Sequence, residues 1–242
     1  MRTDHLGFFT CAILTTALWC GQSVVAQPDF SHTRVSPGTD TISPWLQASV
    51  ETTKAAKKGK QALEHLTKND DRHSRELGFS SAAEAVDTKT ALGHPLPRFL
   101  VPLNKLKAYE PGGVNDARTL LQPARDFIYP ITVGEGNEVQ SSLTVTGIRK
   151  DHQSTLEWRT TEWGGARIIR LLEKHRTPTT NILVWIPSLN RNFLGILTVE
   201  EFLIIPIIDE PRLGFTAGQS LSATDAFAKL LTEAKASDGE PH

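Results

Sequence analysis

Between Asp126 and Trp163 the chain alternates with a period of two. Phe127, Tyr129, Ile131 and Val133 alternate with more polar neighbours. Leu143, Val145, Leu156 and Trp158 resume the pattern after turns at Gly134-Glu135-Gly136-Asn137 and Asp151-His152-Gln153. Because successive side chains in a strand point to opposite faces, this stretch predicts an antiparallel meander with one buried and one wetter face. Gly164-Gly165 closes it. A helix follows, in which Ile168, Leu171, Leu172 and His175 fall at helical spacing, and Lys174, His175, Arg176 and Pro178 supply stop signals.

Further on the pattern changes again. Asn181 to Pro187, Phe193 to Val199 and Phe202 to Ile208 are almost continuously apolar. Continuous apolarity predicts strands covered on both faces, at the centre of a sheet. Pro206 has no N–H to give a neighbour, so the last of these strands should be an edge there, or bulged. A final helix is predicted from Ser222, with Asp225 three residues on, burying Phe227, Leu230, Leu231 and Ala234; after Ser237 the tail is expected to be disordered.

Upstream, Phe99 to Leu103 predicts a short strand, and Ser81 with Glu84 has the spacing of a capping box opening a short helix. Trp45 to Glu76 is polar and rich in helix formers. Its apolar positions Leu46, Val50, Leu63 and Leu66 are sparse, and Lys54, Lys57, Lys58 and Lys60 crowd its middle. That stripe is too narrow for a core helix, so the stretch reads as a solvated leader outside the folded body, or as a basic face for lipid head groups or an acidic partner. The predicted architecture is α+β: a largely antiparallel sheet of five or six strands with two or three helices on one face, preceded by a polar helical leader. A weak echo between Phe99-Leu100-Val101-Pro102 and Phe202-Leu203-Ile204-Ile205-Pro206, each followed by a glycine turn and a leucine pair, is too generic to define a repeat.

The first residues change the picture of where such a domain works. Arg2 precedes an apolar run from Leu6 to Cys20, and Val24-Val25-Ala26 ends the segment. A run of about 15 residues is short for a membrane span and has the layout of a secretory signal cut after Ala26. An uncleaved anchor stays open, since Asp4 offsets the single basic residue. The expected organisation is signal 1–26, linker and leader 27–76, domain 77–236 and tail 237–242. Both cysteines, Cys11 and Cys20, fall in the signal, so the mature chain must fold by burial alone, which about 215 residues suffice to do. A net charge of −1 gives no sign of nucleic-acid binding.

Chemistry-bearing residues are scattered. No two histidines lie within four residues of one another in the mature chain, and no G-x-S-x-G run occurs, so neither a metal site nor a serine hydrolase is indicated and no cofactor is expected. Ser188, Ser141 and Ser142 read as turn or strand residues, and Glu200-Glu201 and Asp209-Glu210 as solvated pairs flanking the last strand. Gly164-Gly165-Ala166-Arg167 is the nearest approach to an anion cradle at a helix start. The run Glu157-Trp158-Arg159-Thr160-Thr161-Glu162-Trp163 has more texture: if Trp158 faces inward, Trp163 falls at the opposite phase and would stand exposed beside Arg159 and Arg167, as interface anchors do. The alternative is that Trp163 folds over the sheet end. A loop from Asp209 to Leu221 carries Arg212 and Phe215 as a second set of binding candidates, or as a lid over the central strands.

These features favour an exported, non-catalytic domain that binds a protein or peptide, a second copy of itself included, through strands its own helices leave uncovered. Membrane contact is expected only if the first segment stays attached. A hydrolase or transferase using His94, Asp126 or His152 is the rival.

Overall fold

A computed structural model of the protein describes residues 42–238, apart from 88, 115, 135–137 and 150–154. The predicted signal, the linker up to residue 41, the centres of both predicted turns, His152 and the tail beyond Asp238 lie outside the described residues. No helix among the described residues is long and apolar enough to cross a membrane.

The fold is α+β. Nine strands among the described residues form one open sheet: β1 (Ala91–Leu92), β2 (Leu96–Leu100), β3 (Gln122–Val133), β4 (Glu138–Arg149), β5 (Leu156–Trp163), β6 (Thr180–Ile186), β7 (Arg191–Leu197), β8 (Phe202–Pro206) and β9 (Leu221–Ser222). Their order is β5-β4-β3-β2-β6-β7-β8-β9, with β1 on β3. Every pairing is antiparallel except β2 with β6. Two meanders therefore run outward from a parallel pair at the centre. Seven strands overlap the apolar runs; β1 and β9 are two residues long and carry no pattern that could announce them. The echo noted above does not map onto this symmetry, since Phe99 lies in central β2 and Phe202 in β8.

Among the described residues six α-helices accompany the sheet: α1 (Val50–Thr67), α2 (Asp71–Glu76), α3 (Ala82–Ala85), α4 (Leu103–Lys107), α5 (Ala166–Lys174) and α6 (Ala223–Ala236). The predicted caps are present: the Glu84 N–H reaches Ser81 Oγ at 3.2 Å and the Asp225 N–H reaches Ser222 Oγ at 3.0 Å.

The helices are not confined to one face. Alternation along β6 sends Ile182 and Val184 into a core with Phe193, Ile204 and Phe227 of α6, and sends Leu183 into a core with Leu194, Ile205, Ile169 and Leu172 of α5. The continuously apolar strands are thus covered twice, as their composition predicts, but both covers belong to the chain itself. On α5 the buried positions are Ala166, Ile169 and Leu172, while Ile168 is 39% exposed. The left-handed Gly164 and Gly165 (φ 106° and 74°) set the helix rotation, and no local periodicity encodes that angle. Pro206 behaves as expected: β9 pairs only with Leu203 and Ile204, so β8 is an edge at Pro206, where the proline carbonyl accepts from the Gly218 N–H at 2.9 Å.

The polar leader is the main correction. α1 is not outside the body but lies on β4 and β5, beside α6's face, with Thr52, Ala55, Ala56, Gly59 and Leu63 buried. Small residues make this contact, so it leaves little trace in hydropathy. A Cβ on Gly59 would stand 2.2 Å from Thr160 Oγ1. Gly59→Val is accordingly expected to cost about 1–3 kcal/mol by overpacking, seen as a lower urea midpoint. An unchanged midpoint would mean that α1 contributes nothing to stability.

The loop after β8 is held by charge. Arg191 Nε lies 2.9 Å from Glu210 Oε2, and its Nη2 lies 3.2 Å from Glu233 Oε1. Burial pushes the Glu210 carboxyl above the usual carboxylate range; Arg191 opposes this and Glu233 adds to it. The folded protein therefore holds this proton more tightly than the unfolded chain does. Glu210 costs nothing below both pKa values and costs stability as pH rises from the unfolded value through the folded one. Glu210→Gln should flatten the decline in stability as pH rises through and above the usual carboxylate range, and a steeper decline in denaturant titrations would contradict this.

Candidate peptide-binding edge

β5 ends the sheet. Among the described residues β4 is its sole strand neighbour, paired from Leu143↔Trp163 to Arg149↔Leu156 with Thr161 left out. In an antiparallel ladder alternate residues turn their N–H and C=O groups the other way, so half of β5's backbone groups face outward from the sheet. The opposite edge differs: β9 is two residues long and runs directly into α6.

A register shift decides where the β5 side chains go. Thr144 pairs with Glu162 and Val145 with Thr160, so Thr161 is an extra residue. This bulge reverses the phase beyond it. Trp163 therefore shares the α1 face with Trp158, and its indole Nε1–H donates to Gly59 O at 3.1 Å. The exposed Trp163 expected from simple alternation becomes a half-buried contact under α1. Trp158 packs edge-on against Phe127 at 5.6 Å and Trp45 at 6.3 Å, and Thr160 Oγ1 donates to Ala55 O.

The other face of β5 is polar. Arg159 is 57% exposed and paired with Glu157 at 2.7 Å, and the Thr146 and Thr161 hydroxyls lie 2.8 Å apart. Beyond them a cleft of about 310 Å³ opens at the β5–α5 junction, lined by Arg98, Ser142, Thr144, Glu162 and Asn192 among others. Arg98 is spent on Asp126 and stacks over Trp185 at 5.1 Å. The Gly164 N–H, one arm of the expected anion cradle, already donates to Ser142 O at 2.9 Å. Glu162 adds a carboxylate to the same cleft, which works against an anion. Arg167 is exposed on α5.

The second set of candidates lies elsewhere. Phe215 is 2% exposed, packed on Phe193 at 5.6 Å under Lys229, so its loop is the lid of the alternative reading. Arg212 is exposed on the neighbouring turn Pro211–Leu213. The structure thus puts Arg159 and Trp163 on opposite faces of β5 and Arg167 on the helix that follows, and leaves Arg212 and Phe215 in the other half of the sheet. Of the rival catalytic residues, Asp126 is committed to Arg98, and His94 lines a separate hollow with Arg176. Among the described residues, no three His, Cys, Asp or Glu side chains are placed to share a metal ion. Sequence reasoning missed Arg98, Asn192 and the edge itself; Arg98 meets Asp126 only through the β2–β3 register.

Fold and site together describe an open α+β sheet whose β5 edge has no second strand partner among the described residues. Compared with known proteins, no family model, curated protein or solved structure matches this chain.

Proposed function

We propose that this chain is an exported, non-catalytic domain that binds a protein or peptide by adding an extended segment to the open edge of β5. One observation carries the reading: eight consecutive strand residues, Leu156–Trp163, at the end of the sheet with a single strand neighbour among the described residues. Main-chain pairing along such an edge supplies affinity without a deep pocket, and side chains on alternate positions supply selectivity. The bulge at Thr161 and the charges of Glu157 and Arg159 are the devices by which edges avoid indiscriminate pairing. The uncovered-face argument made from sequence is not needed, because α5 covers the second face.

Selection of displayed random peptides on the protein, followed by amide shift mapping, tests the reading. A selected peptide should shift and protect the amides of Leu156–Trp163, and N-methylation of the peptide at the edge-facing alternate residues should abolish binding. Peptides that map to another element, or failure to select any, would overturn it. Recovery of the protein outside the cytoplasm with Gln27 as its first residue tests the export half.

A further inference from the structure

We infer that the segment taken up at β5 is acidic; the inference rests on the edge-binding reading and adds its chemistry. The Ala55 and Gly59 carbonyls of α1 accept from Thr160 and Trp163 of β5, whereas Thr52 meets the Tyr129 hydroxyl of β3 at 3.1 Å. These contacts orient the helix. At 3.6 residues per turn, the flank that continues past Ala55 away from β3 carries Glu51, Lys54, Lys58 and Ala62, and it overhangs the outer side of β5. Lys54 and Lys58 are exposed there. Lys60 falls on the opposite flank and is paired with Glu64. Glu51 offsets one of these lysines and stays ionised, since its own backbone N–H and Ser49, with Lys54 contributing, hold its carboxyl below the usual carboxylate range.

The rest of the edge does not cancel this charge. Arg149 stands opposite Leu156 at the start of β5 and is exposed. Arg159 and Glu157 neutralise one another. Glu162 sits at the far end, next to the α5 N-terminus and Arg167. A strand laid along the outer side of β5 would therefore run beside Lys54 and Lys58, while Arg149 stands on β4, across β5 from it. Glutamate or aspartate on its α1-facing positions meets those cations, and basic residues there are repelled.

Three acetylated decapeptides test this: alternating valine–glutamate, valine–glutamine and valine–lysine. The glutamate peptide should bind about tenfold more tightly than the glutamine peptide at low salt, from a few exposed charge pairs. The gap should close near 1 M salt, where the screening length is ~3 Å. Lys54→Glu combined with Lys58→Glu, both at exposed positions, should remove the preference and leave the glutamine peptide's affinity unchanged. Equal binding of glutamate and glutamine peptides, or equal loss of both in the double variant, would overturn the acidic preference and leave edge binding standing. Binding to anionic phosphatidylglycerol vesicles through the same lysines, with no peptide bound, would overturn both.

Discussion

Replacing Phe227 by alanine is expected to lower the unfolding free energy by about 3–5 kcal/mol. Phe227 is fully buried on α6 and meets Tyr109 and Phe202 edge-on at 6.2 and 6.1 Å. It joins α6 to the central strands through Ile182, Val184 and Ile204. Its strand neighbours Phe202, Ile182, Val184 and Ile204 are pinned in the sheet and cannot move into the space. In a chain of this size the loss corresponds to a melting temperature roughly 6–20 °C lower. Phe227→Leu, which keeps most of the volume, should recover more than half of it. A Phe227→Ala protein that melts within a degree or two of the parent would show that α6 does not cap this core.

A comparable loss is expected at the centre of the other face. Arg98 and Asp126 sit opposite one another on β2 and β3, with Arg98 Nε 3.0 Å from Asp126 Oδ2 and the Nη2 contact closer still. Their side chains are only 19% and 8% exposed. Arg98→Met leaves a buried carboxylate without its partner and should cost about 3–5 kcal/mol. Removing both charges, in Arg98→Met with Asp126→Leu, should restore most of that, since apolar residues of similar volume often replace a buried pair at little cost. Urea unfolding of the two single variants and the double variant measures the coupling. A double variant no more stable than Arg98→Met would show that the penalty comes from lost packing on Trp185 rather than from the stranded charge.

Both variants probe parts of the molecule that were unequally legible. Phe227 stands in a helix whose start, Ser222 with Asp225, is written locally: a hydroxyl and a carboxylate three residues apart meet wherever the backbone turns into a helix. At Ser81 the hydroxyl likewise accepts from the Glu84 N–H, although the Glu84 carboxylate turns to Ser80. The meander of β3, β4 and β5 and the inner position of β6 and β7 could likewise be read from period and apolarity. The Arg98–Asp126 pair could not, because 28 residues separate its members and only strand register aligns them.

The candidate site shows the same division within a few residues. Alternation along β5 is a local property, and it assigns Trp158 correctly. One extra residue at Thr161 then reverses the assignment of Trp163, and whether that bulge forms depends on how β4 pairs with β5. Phe215 is similar: a loop aromatic can cover a core or await a partner, and its contact with Phe193 of β7 decides which.

By itself the sequence determined the α+β class, the position along the chain and rough extent of the longer strands, and two helix starts. These follow from backbone periodicity and nearest-neighbour chemistry, which act over a few residues. Only the tertiary structure decided that α1 packs on the sheet, that β2 and β6 run parallel at its centre, that helices cover both faces, and that among the described residues β5 has a strand partner on one side alone. Those outcomes depend on which distant surfaces fit, and small residues such as Ala55, Ala56 and Gly59 fit through shape while adding little to any hydropathy pattern.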